Sequence, residues 1–151
     1  MKRLITPIAL AFVALAMLLP TTPVMAQEKI HKIAIQVSTN NPKTMNIALN
    51  NAANVDKYYK AKGEEVQIEI VAYGPGLNML IAGKSPVEKR IKSFGQNFDN
   101  IRFSACGNTL KKFTKKAGGK KPPLVKEAKI VTAGVIRLSE LQEKGWSYIR
   151  P

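Results

Sequence analysis

Two hydrophobic patterns alternate along this chain: short β-branched runs, and longer stretches whose apolar residues recur every three or four positions. Residues 30–37 (Ile-His-Lys-Ile-Ala-Ile-Gln-Val) form a run fit for a buried strand. Ser38, Thr39, Asn40 and Asn41 bring N-cap chemistry, and Pro42 suits the first turn of a helix. That helix is predicted to run to about Lys62 and to stop at Gly63, with Met45, Leu49, Ala52 and Val55 as its apolar stripe. Residues 66–73 read as a second strand, Gly74-Pro75-Gly76 as a tight turn and 77–82 as a short helical segment. Ser85 is the expected N-cap of a helix over 87–98. In 101–106, Ile101, Phe103 and Ala105 alternate with Arg102 and Ser104, as in a third strand that ends at Cys106. Gly107 breaks the alternation and a Lys-rich helical segment follows. Beyond the Gly118-Gly119 and Pro122-Pro123 stretch come a short strand at 129–132, a helix over 135–144 and a last strand at 146–149. Alternation of this kind implies an α/β fold: a mainly parallel sheet of about five strands between layers of helices. In such sheets the functional crevice lies beyond the C-terminal strand ends. The Asn40 turn, the Gly74–Gly76 turn and Cys106-Gly107-Asn108-Thr109 all fall at that edge.

The first 26 residues read differently. Met1-Lys2-Arg3 is a basic start, an apolar stretch covers 8–19, and Val24-Met25-Ala26 presents the small residues of a cleavage site. This is a secretory signal pattern, with cleavage expected after Ala26 and a periplasmic or secreted destination. The stretch falls short of the ~20 apolar residues of a membrane span, so no stable membrane insertion is expected. The single domain is then 27–151, enough for one core.

Charge and cysteine content narrow the chemistry. The chain carries a net charge of +14. Seven lysines lie between Lys111 and Lys126, and Lys111 and Lys112 come about one turn after Cys106. Such a cluster suits nucleic acid, but export and the lack of interleaved aromatics other than Phe113 argue against that partner. The remaining choices are a solvated, solubilising face, or an electropositive approach for small anions or an acidic partner. Cys106 is the only cysteine, so no intramolecular disulfide can form. In an oxidising compartment it is buried, paired between chains, or kept for its reactivity. At a strand-to-helix junction the helix N-terminus favours the thiolate. Backbone N–H groups of Gly107 and Asn108 and the Thr109 hydroxyl are placed to serve as donors.

Several classes drop out. The single histidine, His31, opens the first strand at the far end of the sheet from Cys106, which argues against a Cys-His dyad. One Cys and one His make no zinc site. No Gly-x-Gly-x-x-Gly or Walker sequence supports a nucleotide, and no cofactor is expected. Asn46, Asn50 and Asn54 repeat every four residues, either as a polar helix face or as hydrogen-bonding groups across a subunit contact.

Five blocks together resemble the DsrE/DsrF-like proteins: 46–54 (NIALNNAAN), 71–77 (VAYGPGL), 103–110 (FSACGNTL), 131–135 (VTAGV) and 145–151 (GWSYIRP). They span essentially all of 27–151, in order. The resemblance implies a three-layer α/β/α fold, a homo-oligomer such as a trimer or hexamer, and sulfur relay through a cysteine persulfide. Cys106 is the one residue able to carry it. Gly107, Asn108, Thr109, Gly74, Gly76, Asn40, Lys111 and Lys112 are the expected substrate-binding residues, and the partners would be sulfur donor and acceptor proteins or small inorganic sulfur anions. Two other functions stay open: an oligomeric interaction module with an inert cysteine, and a binder of polyanions through the lysines.

Overall fold

A computed structural model describes residues 30–151; the signal pattern lies outside them. The strands are β1 (His31–Val37), β2 (Val66–Ala72), β3 (Ile101–Cys106), β4 (Ala128–Val131) and β5 (Ser147–Ile149). The helices are α1 (Pro42–Ala61), α2 (Glu88–Asn97), α3 (Gly107–Lys116) and α4 (Gly134–Glu143), with a 3-10 helix at Gly74–Leu80. All strand pairs are parallel, in the order β4-β3-β2-β1-β5. The expected three-layer α/β/α architecture is the one observed.

Topology makes the two faces unequal. β1, β2, β3 and β4 step across the sheet in one direction, so right-handed crossovers place α1, α2 and α3 on the same side. The chain then returns past β1 to form β5, and α4 takes the opposite side. On the first face Ile33, Ile35, Ile68, Ile70 and Phe103 pack against Met45 and Leu49 of α1, Ile91 and Phe94 of α2, and Leu110 of α3. On the second face the apolar cluster is small: Ala34 and Val71 with Leu138 and Leu141 of α4, flanked by Tyr73 and Trp146. One helix cannot cover five strands, and the strands carry polar side chains where cover is thin: Gln36, Glu69 and Ser104, all buried and hydrogen-bonded.

Two expectations change in detail. The Ser85 hydroxyl caps no helix. It accepts the Val87 N–H in a turn, and Glu88 reaches back to the Gly83 N–H at 2.7 Å, so α2 starts at Glu88. Asn46 and Asn50 are engaged within the chain: Arg90 of α2 donates to both their side-chain oxygens. Asn41 is the α1 N-cap, accepting from Lys43 N at 2.8 Å.

Gly76 pins the end of β1 to the turn after β2. A Cβ there would lie 2.3 Å from the Val37 carbonyl oxygen and 2.6 Å from its carbon. Both are backbone atoms of a central strand and cannot swing away. Gly76→Ala should therefore lower stability by about 3 kcal/mol, the upper part of the range for overpacking. Urea unfolding checks this; an unchanged midpoint refutes it.

Candidate functional site

The C-terminal ends of β2, β3 and β4 meet at one sulfur. Alternation along β3 sends Ile101, Phe103 and Ala105 into the large core and Cys106 to the α4 side. Cys106 is also the N-cap of α3, a place usually held by Ser, Thr, Asp or Asn. Its Sγ accepts the Thr109 N–H at 3.4 Å. The pairing of β4 beside β3, Cys106 against Val131, delivers the following turn and the first residue of α4 to the same place. The first intrahelical bond of α4 runs from Arg137 N to Ala133 O, which leaves the Gly134 N–H free to face the sulfur. The N-termini of two helices thus converge on one thiol.

That convergence sets the acidity. Burial pushes the Cys106 thiol up, since only 4% of the residue is exposed. The Thr109 hydroxyl and the backbone N–H groups of Gly134, Thr109 and Asn108 outweigh burial and hold the thiol below its ordinary value. The positive ends of α3 and α4 act in the same direction. The Asn108 N–H is shared, because it also donates to Thr132 O at 3.2 Å.

Thr109 is the hub of the site. It is buried, and its Oγ1 accepts the Gly74 N–H at 2.9 Å, tying the turn after β2 to the first turn of α3. Gly74 adopts φ +54°, a left-handed conformation suited to glycine. Thr109→Val removes both interactions. The expected result is a loss of about 1–2 kcal/mol and a higher thiol pKa. The pH dependence follows from the depressed pKa. Between the folded pKa and the unfolded value of about 8.5, the unfolded chain binds more protons, so the thiolate's contribution to stability grows as pH rises. It is lost as pH falls through the folded pKa. Alkylation rates against pH measure the shift; an unchanged profile in Thr109→Val removes the hydroxyl from the account.

The other expected site residues divide. Asn108 and Thr109 donate to the sulfur, and Gly74 is joined to the site through the Thr109 hydroxyl. Gly107, expected as a donor, is not one of them: it packs against the β4 backbone, where a Cβ would lie 2.9 Å from the Val131 carbonyl oxygen. Gly76 is close to Gly74 in sequence but serves packing. Asn40 is exposed in the β1–α1 turn, and β2 separates its strand from β3. Lys111 and Lys112 are exposed on α3. His31 opens β1 at the opposite sheet end, bonded to Glu64 at 2.8 Å and stacked on Tyr59.

Sequence reasoning missed two features. Gly134 supplies a donor to the sulfur and packs so tightly that a Cβ would lie 2.6 Å from the Tyr73 Cβ. Beneath the site, Glu69 is buried and held by Arg137 of α4 through two bonds of 2.7 and 2.6 Å, with Ser104 donating at 2.6 Å. Burial raises the Glu69 pKa, but these partners win and hold it below the usual carboxylate range. The pair fixes α4, and with it Gly134, against β2 and β3. An acid within Ile68-Glu69-Ile70-Val71 is the sequence signal of a buried partner.

Among the described residues no group of three His, Cys, Asp or Glu is placed to hold a metal ion. No helix among them is long and apolar enough to cross a membrane. No protein-family model matches the chain, and no curated protein matches it. Among solved structures, the chain is similar to MTH1491 of Methanobacterium thermoautotrophicum, a protein of unknown function. The two share 29% identity and a TM-score of 0.65, over 80% of this chain and 99% of the other.

Proposed function

We propose that this protein is a sulfur-relay protein of the DsrE/DsrF-like kind, carrying sulfane sulfur as a persulfide on Cys106. The observation that supports this most is the convergence of the α3 and α4 N-termini on the Cys106 sulfur, which favours the thiolate. Thiol exchange is fastest when the attacking thiol has a pKa near ambient pH. The thiolate attacks the outer sulfur of thiosulfate or a persulfide. A sulfur–sulfur bond forms to Cys106, and the donor's own bond to that sulfur breaks, releasing sulfite or a thiolate. An acceptor thiolate then attacks the outer sulfur of the Cys106 persulfide, takes that sulfur, and frees the Cys106 thiolate. Each step is a displacement between sulfurs, so no general acid or cofactor is needed. The same N–H groups that hold the thiolate can hold the persulfide anion.

One observation favours a second reading, the interaction module with an inert cysteine: Cys106 is 4% exposed. Loading separates the two. Native protein mixed with thiosulfate or a persulfide donor should gain the mass of one sulfur atom, removable by a thiol reductant. No gain, together with a thiol inert to alkylation until the protein unfolds, leaves the module standing. The proposal extends to export and assembly: protein from the native host should begin at Gln27 and scatter light as a trimer or a multiple of it. A chain that keeps Met1, or a monomer at micromolar concentration, removes those extensions.

A further inference from the structure

We propose that the groove between α3 and β4 binds an amphipathic organic anion, an acyl or aryl body bearing a carboxylate or sulfonate head. The groove encloses about 450 Å³, a size suited to a small organic molecule. Leu110 of α3 and Ile130 of β4 form its apolar floor, and Lys111, Lys115 and Lys121 stand around it. Ile130 pairs in register with Ala105, on the sheet face that carries the large core, yet it is 52% exposed. The cause is the path of the chain. After α3 the backbone turns through Gly118 and Gly119, both at positive φ, and Leu124 returns to pair with Ile81 instead of covering β4. The edge of the apolar face is left open.

The lysines make the opening selective. Residues 111–126 contain seven lysines and no acid, and no ion pair among the described residues involves any of the seven. Their charges repel one another until an anion arrives. An inorganic anion would satisfy the ammonium groups and leave Ile130 in water. A neutral hydrophobe would cover Ile130 and leave the charges unrelieved. A ligand with an apolar body and an anionic head does both, with the lysine stems extending the apolar wall. From Gly107 to Lys115 the helix rises about 12 Å, which sets the length of the ligand. The groove opens on the face of the sheet opposite the one Cys106 points to, so this inference does not rest on sulfur relay.

Isothermal titration of the purified protein with decanoate tests it, with decanol and sulfate as comparison probes. One decanoate per chain is expected, with decanol and sulfate weaker by about tenfold or more. Ile130→Glu, at an exposed edge position, should abolish binding. The triple change Lys111→Gln, Lys115→Gln, Lys121→Gln should weaken it about tenfold and flatten its salt dependence. Cys106→Ser should bind as the wild type does. In the unaltered protein, decanoate should protect Lys111, Lys115 and Lys121 from acetylation. Decanol binding as tightly as decanoate would reduce the groove to an apolar patch, and sulfate doing so would reduce it to a charge cluster. Either result overturns the proposal. So does absent decanoate binding, or a native oligomer that Ile130→Glu dissociates, which would make the groove a contact between copies.

Discussion

Cys106→Ser should abolish sulfur loading while leaving the fold and the assembly intact. Serine is nearly isosteric with cysteine and is among the preferred N-cap residues, so its hydroxyl can take over the Thr109 N–H that Sγ now accepts at 3.4 Å. Capping alone would make the swap neutral or slightly stabilising. The chemistry has no substitute: the chain holds no other sulfur nucleophile, and the serine hydroxyl does not form a thiolate. Intact-mass analysis after exposure to thiosulfate or a persulfide donor reads the first effect, and urea unfolding with light scattering reads the second. A Cys106→Ser protein that still gains sulfur would place the chemistry elsewhere. An unfolded one, beside a wild-type thiol that stays unreactive, would mean that burial is all the cysteine does.

How the site became partly legible is clear from its residues. Alternation in β3 and the break at Gly107 are local, so the strand-to-helix junction could be read, and Cys106 with it. The cap at Asn41 is likewise set by neighbours in sequence. The tight turn expected at Gly74–Gly76 and the separate helical segment expected over 77–82 are instead one 3-10 helix, Gly74–Leu80, tied at its start to the distant Thr109. What could not be read is the contribution of α4. Gly134 reaches the sulfur only because β4 pairs beside β3, and that pairing is set by strand order across the sheet. The Arg90 bridge to Asn46 and Asn50 is hidden for the same reason, since it spans more than forty residues at Asn46. Ser85 misled locally. Pro86 follows it, and with the competing bond from the Gly83 N–H to Glu88 the helix starts at Glu88, one residue later than expected and without Ser85 as its cap.

Arg137→Ala should lower stability by about 3 kcal/mol. Glu69 is 2% exposed, and Arg137 makes two short bonds to it while itself remaining about one-quarter exposed. Removing one partner of a buried pair leaves an uncompensated carboxylate, which costs about 3–5 kcal/mol; the partial exposure of Arg137 places this pair at the low end. That is a large share of the roughly 5–15 kcal/mol that holds a domain together. The pH dependence should reverse. In the wild type the depressed Glu69 pKa contributes stability above the unfolded carboxyl value, about 4.3, and loses it as pH falls through the folded value. Without Arg137, burial pushes the Glu69 pKa up, so the variant is relatively stronger in acid and weakens as pH rises past 4.3. The gap between the two proteins should therefore narrow toward low pH. Glu69→Gln combined with Arg137→Met should recover much of the loss, because the amide oxygen still accepts from Ser104 and no charge is left buried. Urea midpoints across pH measure all three proteins. A gap that stays constant with pH, or a double variant no better than Arg137→Ala, would show that α4 is held by packing and not by this ion pair. Because the pair anchors the helix whose first N–H faces Cys106, Arg137→Ala should also raise the thiol pKa in the molecules that remain folded.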